Sequence, residues 1–382
     1  ATTFARGAPK PTFGYFSLPP GKPSTVELTA WINQRYMIEL TPWGIWDEDN
    51  EIRNKGIENY QGPGLAIQWI EVEGPLVDPF PSRGHRFVLD GLDRREIQPR
   101  NPADKKKPWY VPKFEIRSDD PANDAAKVFQ RIATLAFRRP VTDDEVLPYV
   151  QLFQGQRAQD ASFEEALRTG IVAILCSPHF LYLREEPGWL DDHALASRLA
   201  YFLTRTTPDA KLLMLAREGK LQRNPKMLSQ QVDRLLGHEH GSRWVVDFTD
   251  AWLNLRDIEF TSPDRNLYPE FDPFLQYSMI EETRQFFRQL IRENLPVRNL
   301  VKSDFAMLNN RLAEHYGISG VKGPEVRRVA LEQDGDRGGF LSQASVLKVS
   351  ANGTNTSPVV RGVWVMERLL GKTPPPPPAG VP

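Results

Sequence analysis

Cysteine is nearly absent. Cys176 is the only one among 382 residues, so no internal disulfide, four-cysteine zinc site or CxxCH haem attachment can form within the chain. Long apolar runs are missing too. The longest candidate, Ile171 to Cys176, falls far short of the ~20 residues a membrane helix needs. Neither sign of charge dominates: 48 Lys and Arg stand against 49 Asp and Glu, for a net charge of -1. The longest basic run is Lys105-Lys106-Lys107, so no field steers the chain to nucleic acid. A Walker loop, a GxGxxG turn, HExxH and GxSxG are all lacking, which excludes the sites those local motifs build. Sites assembled from distant residues stay open. The opening Ala1-Thr2-Thr3-Phe4 lacks both Met and the pattern of a secretory signal, as expected of a processed product or a fragment.

Proline, by contrast, is plentiful, at 33 residues. The first ~75 residues read as β structure. Thr25–Ala30 and Tyr36–Leu40 are short β-rich runs, and Gly64–Glu73 is the strongest strand candidate. There Leu65, Ile67 and Trp69 share one face while Ala66, Ile70 and Val72 share the other, the pattern of a strand buried between layers. Trp69 is expected in that core. Residues 74–118 carry Pro75, Pro79, Pro81, Pro99, Pro102, Pro108 and Pro112 and read as an extended surface strap.

From Asp120 the pattern turns helical. Asp120-Pro121 is a cap and first-turn pair, followed by Ala125, Val128, Ile132 and Leu135 at helical spacing. Thr142–Glu145 and Ser162–Glu165 are capping boxes. Thr207-Pro208-Asp209 and Asn224-Pro225 repeat the cap-and-proline device, with Gly219 and Gly237 as terminators. Two longer amphipathic helices are expected over residues 242–255 and 272–294, the second lined by Met279, Phe286, Phe287 and Leu290. A strand is expected at Val326–Leu331 and a short helix at Phe340–Leu347. Ser357-Pro358 caps a last helix whose Val359, Val363, Met366 and Leu370 are expected to face a core. The prolines from Pro374 form a stiff exit, as though a further domain followed Pro382.

Five phrases together point to a family: FRRPVTDDEV (137–146), SPHFLYLRE (177–185), LDDHALASRLAYFL (190–203), FAMLNNRLAEHYGI (305–318) and RGGFLSQASVLKVSANGTNTSPVVRGVWVMERLLG (337–371). They resemble the large secreted proteins of planctomycetes, and of some myxobacteria and verrucomicrobia. Those proteins carry serial domains of unknown function numbered fifteen-ninety-five, fifteen-ninety-two and fifteen-eighty-eight. GPGLAIQWIEVEGP (62–75) resembles the last strand of the β domain preceding them. The resemblance implies export to the periplasm or beyond, haem c on an upstream domain rather than in this segment, and other domains of the same chain as partners. It implies no activity.

Candidate chemistry is sparse. His179 follows Cys176 closely, and an imidazole beside a thiol could ligate metal or haem, or simply bond a backbone carbonyl. His238-Glu239-His240 sets two imidazoles at i, i+2 without an evident third ligand, so no metal site is expected and a solvated turn is the plain reading. Glu282 and Asp250 sit on different long helices, where opposed carboxylates could share acid–base work. Glu281 has Arg284 and Gln285 at pairing distance. Asp191-Asp192-His193 opens a helix as a cap. Thr356, Ser357 and Arg361 at a helix start could hold an anion, or cap and pair among themselves. Trp43 and Trp46 are the candidate sugar-stacking pair.

The expected fold is α+β and mainly α-helical: a partial β-sandwich, a helical core, and a small mixed C-terminal part. The expected domains are 1–75 (β), 76–119 (connector), 120–188 and 189–315 (helical), and 316–382 (mixed, ending in the proline linker). Two functions fit. One is a helical scaffold beside a haem-c electron-transfer domain and a carbohydrate-binding-like β domain, with polysaccharide as external partner. The other is a polysaccharide-active hydrolase or oxidoreductase using the helix-borne carboxylates.

Overall fold

The computed structural model describes residues 2–4, 12–33, 35–40, 42, 54, 56–62, 64–74, 76, 82–107, 110–183, 185, 187–264, 266–332 and 335–375. It is mainly helical, with small two-stranded sheets. Two compact units divide the chain: Val72–Trp244, and Ala1–Glu71 together with Val245–Pro382.

In the N-terminal stretch, β1 (Thr2–Phe4) and β2 (Met37–Glu39) pair antiparallel, with Thr3 opposite Ile38. The expected buried strand at Gly64–Glu73 is corrected here. Residues 64–74 form no strand, and Trp69 is 60% exposed rather than in a core. A strand exists only through a neighbour's ladder of N–H and C=O groups. Of the two shorter β-rich runs, Tyr36–Leu40 contains β2 whereas Thr25–Ala30 lies outside any strand, so neither Thr25–Ala30 nor Gly64–Glu73 has a ladder partner. Among the described residues no β-sandwich forms.

The expected strap over 74–118 is corrected as well. It contains helix α1 (Arg83–Leu89), capped by Ser82, and a hairpin of β3 (Asp93–Ile97) and β4 (Lys113–Arg117). Among the described residues, Pro99 and Pro112 lie outside the two strands and Pro102 opens a 3-10 turn capped by Asn101, positions where a missing N–H does little harm. Val88, Leu89, Leu92 and Ile116 then pack on the first helical core. Arg131 donates to the Val88 and Asp90 carbonyls, and the Ile116 N–H donates to Glu164 at 2.9 Å.

That core belongs to α2 (Pro121–Phe137), α3 (Asp143–Arg157) and α4 (Phe163–Leu175). Both capping boxes form as the sequence suggests. The fully buried Phe129 and Phe153 meet edge-to-face at 6.3 Å. Gly170 is required by close approach: a Cβ there would lie 2.2 Å from the Phe129 ring. After the short α5 (Pro178–Leu181), α6 (Asp192–Leu203), α7 (Ala210–Arg217) and α8 (Pro225–Leu236) surround a second core with Leu203, Leu212, Leu221 and Leu235. Asp191, Asp209 and Asn224 cap these helices. Asp192, in contrast, reaches across to accept the Leu221 and Gln222 N–H groups.

The other unit takes in α9 (Ser242–Trp252) from Val245 onward and centres on α10 (Pro273–Arg292). They are followed by β5 (Phe305–Leu308), α11 (Asn310–His315), β6 (Arg327–Ala330), α12 (Ala344–Val349) and α13 (Pro358–Arg368). β5 and β6 pair antiparallel. Leu253, Phe286, Phe305, Phe340, Val346 and Trp364 form one core. The expected face of the last helix is corrected: Val359 is 77% exposed and Leu370 61%, while Trp364 is 7% exposed. An indole brings more apolar area to a core than any one of those smaller side chains. It turns the helix so that Trp364 Nε1 donates to the Leu253 carbonyl at 3.2 Å.

Candidate functional site

Helical spacing puts Glu282 on the same face of α10 as Met279 and Phe286, and the carboxylate is 2% exposed. Tyr316, at the end of α11, donates its O–H to Glu282 Oε2 at 2.6 Å and accepts the Ala344 N–H at 2.7 Å. The Arg337 guanidinium lies 3.5 Å from the centre of the Tyr316 ring and donates to the Ser342 carbonyl at 3.0 Å. Gly338 and Gly339 carry the chain past Glu282 with φ of 142° and 75°, against the Leu300–Ser303 backbone. A Cβ on Gly339 would stand 2.5 Å from the Val301 oxygen, so the close approach needs glycine. Beside them, the Thr283 hydroxyl donates to Gln343 and meets Ser345 at 2.6 Å.

Burial dominates the electrostatics. It pushes the Glu282 carboxyl up to about 8, against the opposing pull of the Tyr316 hydrogen bond and the Arg337 charge. Burial also drives the Tyr316 phenol well above its ordinary range. The carboxyl is therefore held protonated at neutral pH. The cavity it shares with Phe305, Tyr316, Arg337 and Gln343 is about 10 Å³, room for roughly one water. The cluster can hold a proton but cannot admit a sugar.

Asp250, the other candidate carboxylate, does not line that cavity. Both of its oxygens accept from Arg284 Nη2 at 3.0 Å, and Arg284 also meets Glu281 at 3.4 Å. The two carboxylates expected to work together thus have separate partners.

In the unit of residues 72–244, sequence positions read separately come together. His179, Asp191 and His193 line one cavity of about 60 Å³ with Arg138, Arg139 and Glu185. Arg138, buried and in a left-handed conformation just after α2, donates to the carbonyls of His179, Phe180 and Tyr182 and to the Tyr201 hydroxyl. Arg139 takes Glu145 in a two-point pair at 2.6 and 3.1 Å, which holds that carboxyl at about 2. Glu185 pairs with Arg198. The His193 Nδ1 is buried without a hydrogen-bond partner. Cys176 is exposed and does not line this cavity. Only its charge marked Arg138 in the sequence, and that charge reads as an ordinary helix-end residue.

The anion candidates at the start of α13 bond to nearby groups. Ser357 caps α13 through the Val360 N–H, and Arg361 donates to the Thr356 and Ser350 hydroxyls. Trp43 and Trp46 lie outside the described residues; Trp31 is 88% exposed. At His238-Glu239-His240, the Glu239 carboxylate folds back to 3.4 Å from His240 Nε2. No helix among the described residues is long and apolar enough to cross a membrane.

Three families match the chain. Residues 124–185 match a protein of unknown function (DUF1595), residues 190–318 one (DUF1592), and residues 337–382 one (DUF1588). No curated protein and no solved structure matches it. Glu282 and Tyr316 come from the second matched region and Arg337 from the third, so the buried cluster is built across both. The chain therefore carries, in series, the three domains of unknown function numbered 1595, 1592 and 1588.

Proposed function

We propose that this chain is a non-catalytic helical scaffold within a larger exported multidomain protein, working beside a haem-c electron-transfer domain in the periplasm or outside the cell. The observation that carries the reading is the fate of the two candidate carboxylates. Glu282 is sealed behind Tyr316 and Arg337, and Asp250 is held at both oxygens by Arg284. Paired acid–base carboxylates in glycoside hydrolases instead face one substrate across about 5–10 Å. The matched domain series supports the multidomain setting. The redox neighbour and export rest on the family resemblance. Polysaccharide contact through the tryptophan-rich N-terminal stretch is part of the same proposal, favoured by the exposed Trp31 indole.

Two measurements test this. Sequencing the coding DNA on both sides should reveal a signal peptide and a CxxCH upstream, with a further domain after Pro382; a start near Ala1 and a stop after Pro382 would remove the haem and export reading. Reducing-end release from a polysaccharide panel should be indifferent to Glu282→Gln and Asp250→Asn. Wild-type turnover abolished by either change would establish the hydrolase alternative.

A further inference from the structure

We infer that His238-Glu239-His240 is a binding site for a divalent transition metal such as zinc. The tripeptide forms a single 3-10 turn, residues 239–241, between α8 and α9. Two imidazoles at i, i+2 lack a third ligand when only the histidines are counted. The fold supplies one from between them: one ligand atom from each of the three residues lies within 4.8 Å of the others. Zinc binds imidazole nitrogen and carboxylate oxygen at about 2.0–2.2 Å, and two such bonds at a tetrahedral angle set their donor atoms about 3.4 Å apart. Glu239 Oε1 and His240 Nε2 already stand 3.4 Å apart. The two rings approach edge-to-face with centres at 4.9 Å, so small side-chain rotations would close the set around one ion.

The turn also fixes where His238 points. Its Nδ1 caps the turn by accepting the His240 N–H at 3.1 Å. A metal would take that lone pair, or take Nε2 after the proton moves to Nδ1. Either route gives up the capping bond, so the affinity is moderate. Asp209, the cap of α7, is committed to Arg234 at 2.6 Å and adds no ligand. The site therefore has three protein ligands and open positions facing solvent, the arrangement that leaves room for water or for a ligand from another molecule.

The test uses the full chain without a histidine tag, stripped by chelator. It is titrated with zinc by calorimetry and with cobalt by visible absorption. One saturable site is expected, weakened at least tenfold by His240→Ala and weakened by Glu239→Ala. His240→Ala keeps the cap, because the donor there is a backbone N–H. His179→Ala should leave binding unchanged. Binding should weaken on acidification, because protons compete with the metal for the imidazole and carboxylate donor atoms. Absence of saturable binding would overturn the inference, as would a His238→Ala/His240→Ala double variant that binds like wild type.

Discussion

Replacing Glu282 by Gln should remove a pH dependence that the buried carboxyl imposes on its unit. In the folded chain this carboxyl titrates at about 8, against 4.5 when unfolded. The folded state therefore binds the extra proton between those values. Stability is fully present below pH 4.5 and is lost as pH rises through 8. At about 1.36 kcal/mol per pH unit the whole window is worth about 5 kcal/mol, and the interval from pH 5 to 8 about 4 kcal/mol. Gln keeps the shape and an acceptor for the Tyr316 O–H but carries no proton to lose. Hydrogen exchange of the α10 amides, corrected for intrinsic rates, reads the opening free energy of that helix by itself. Wild type should lose about 4 kcal/mol more than Glu282→Gln between pH 5 and 8. Parallel profiles for the two proteins would refute the buried, protonated carboxyl.

Three more outcomes follow from the geometry. Arg138→Lys should cost about 2–4 kcal/mol in chemical denaturation, because an ammonium cannot satisfy the four oxygens now held by the guanidinium fork. Gly339→Ala should cost about 2 kcal/mol or more, since its φ is 75° and a Cβ meets the Val301 oxygen. Arg311→Ala should cost about 3–5 kcal/mol by leaving Asp272 buried without the pair it makes at 2.8 Å; the thermal midpoints of both variants would show it.

Local chemistry made much of the helical part legible. Asp120, Thr142, Ser162, Asn224 and Ser357 all cap the helices their sequence context announces; at Thr207-Pro208-Asp209 the cap is Asp209, so the proline precedes the helix instead of opening it. The buried face of α10 follows from spacing alone, and Glu282 could be placed on it because Met279 and Phe286 flank it at helical intervals. What Glu282 meets there could not be read, because Tyr316 lies 34 residues on and Arg337 further still. Arg138 was hidden for the opposite reason: its partners are carbonyls, which every residue owns. Of the N-terminal runs, Tyr36–Leu40 holds β2, but Thr25–Ala30 and Gly64–Glu73 misled, because alternation reports only what a strand would bury, not whether a neighbour is there to pair with it. The closeness of Glu239 to His240 was not legible, because in an extended chain a residue between two histidines points away from both, and the tight turn folds it back to 3.4 Å.

The most direct check on the scaffold reading is carbodiimide labelling of carboxyl groups in the folded chain near pH 6, with the sites read by mass spectrometry. Glu239 and Glu314, whose side chains are 79% and 78% exposed, serve as open references. Glu282 should stay unlabelled until the chain is unfolded, because Tyr316 and Arg337 close it from solvent. Labelling of Glu282 at the rate of the references would show an accessible acid, and with it the makings of an active site.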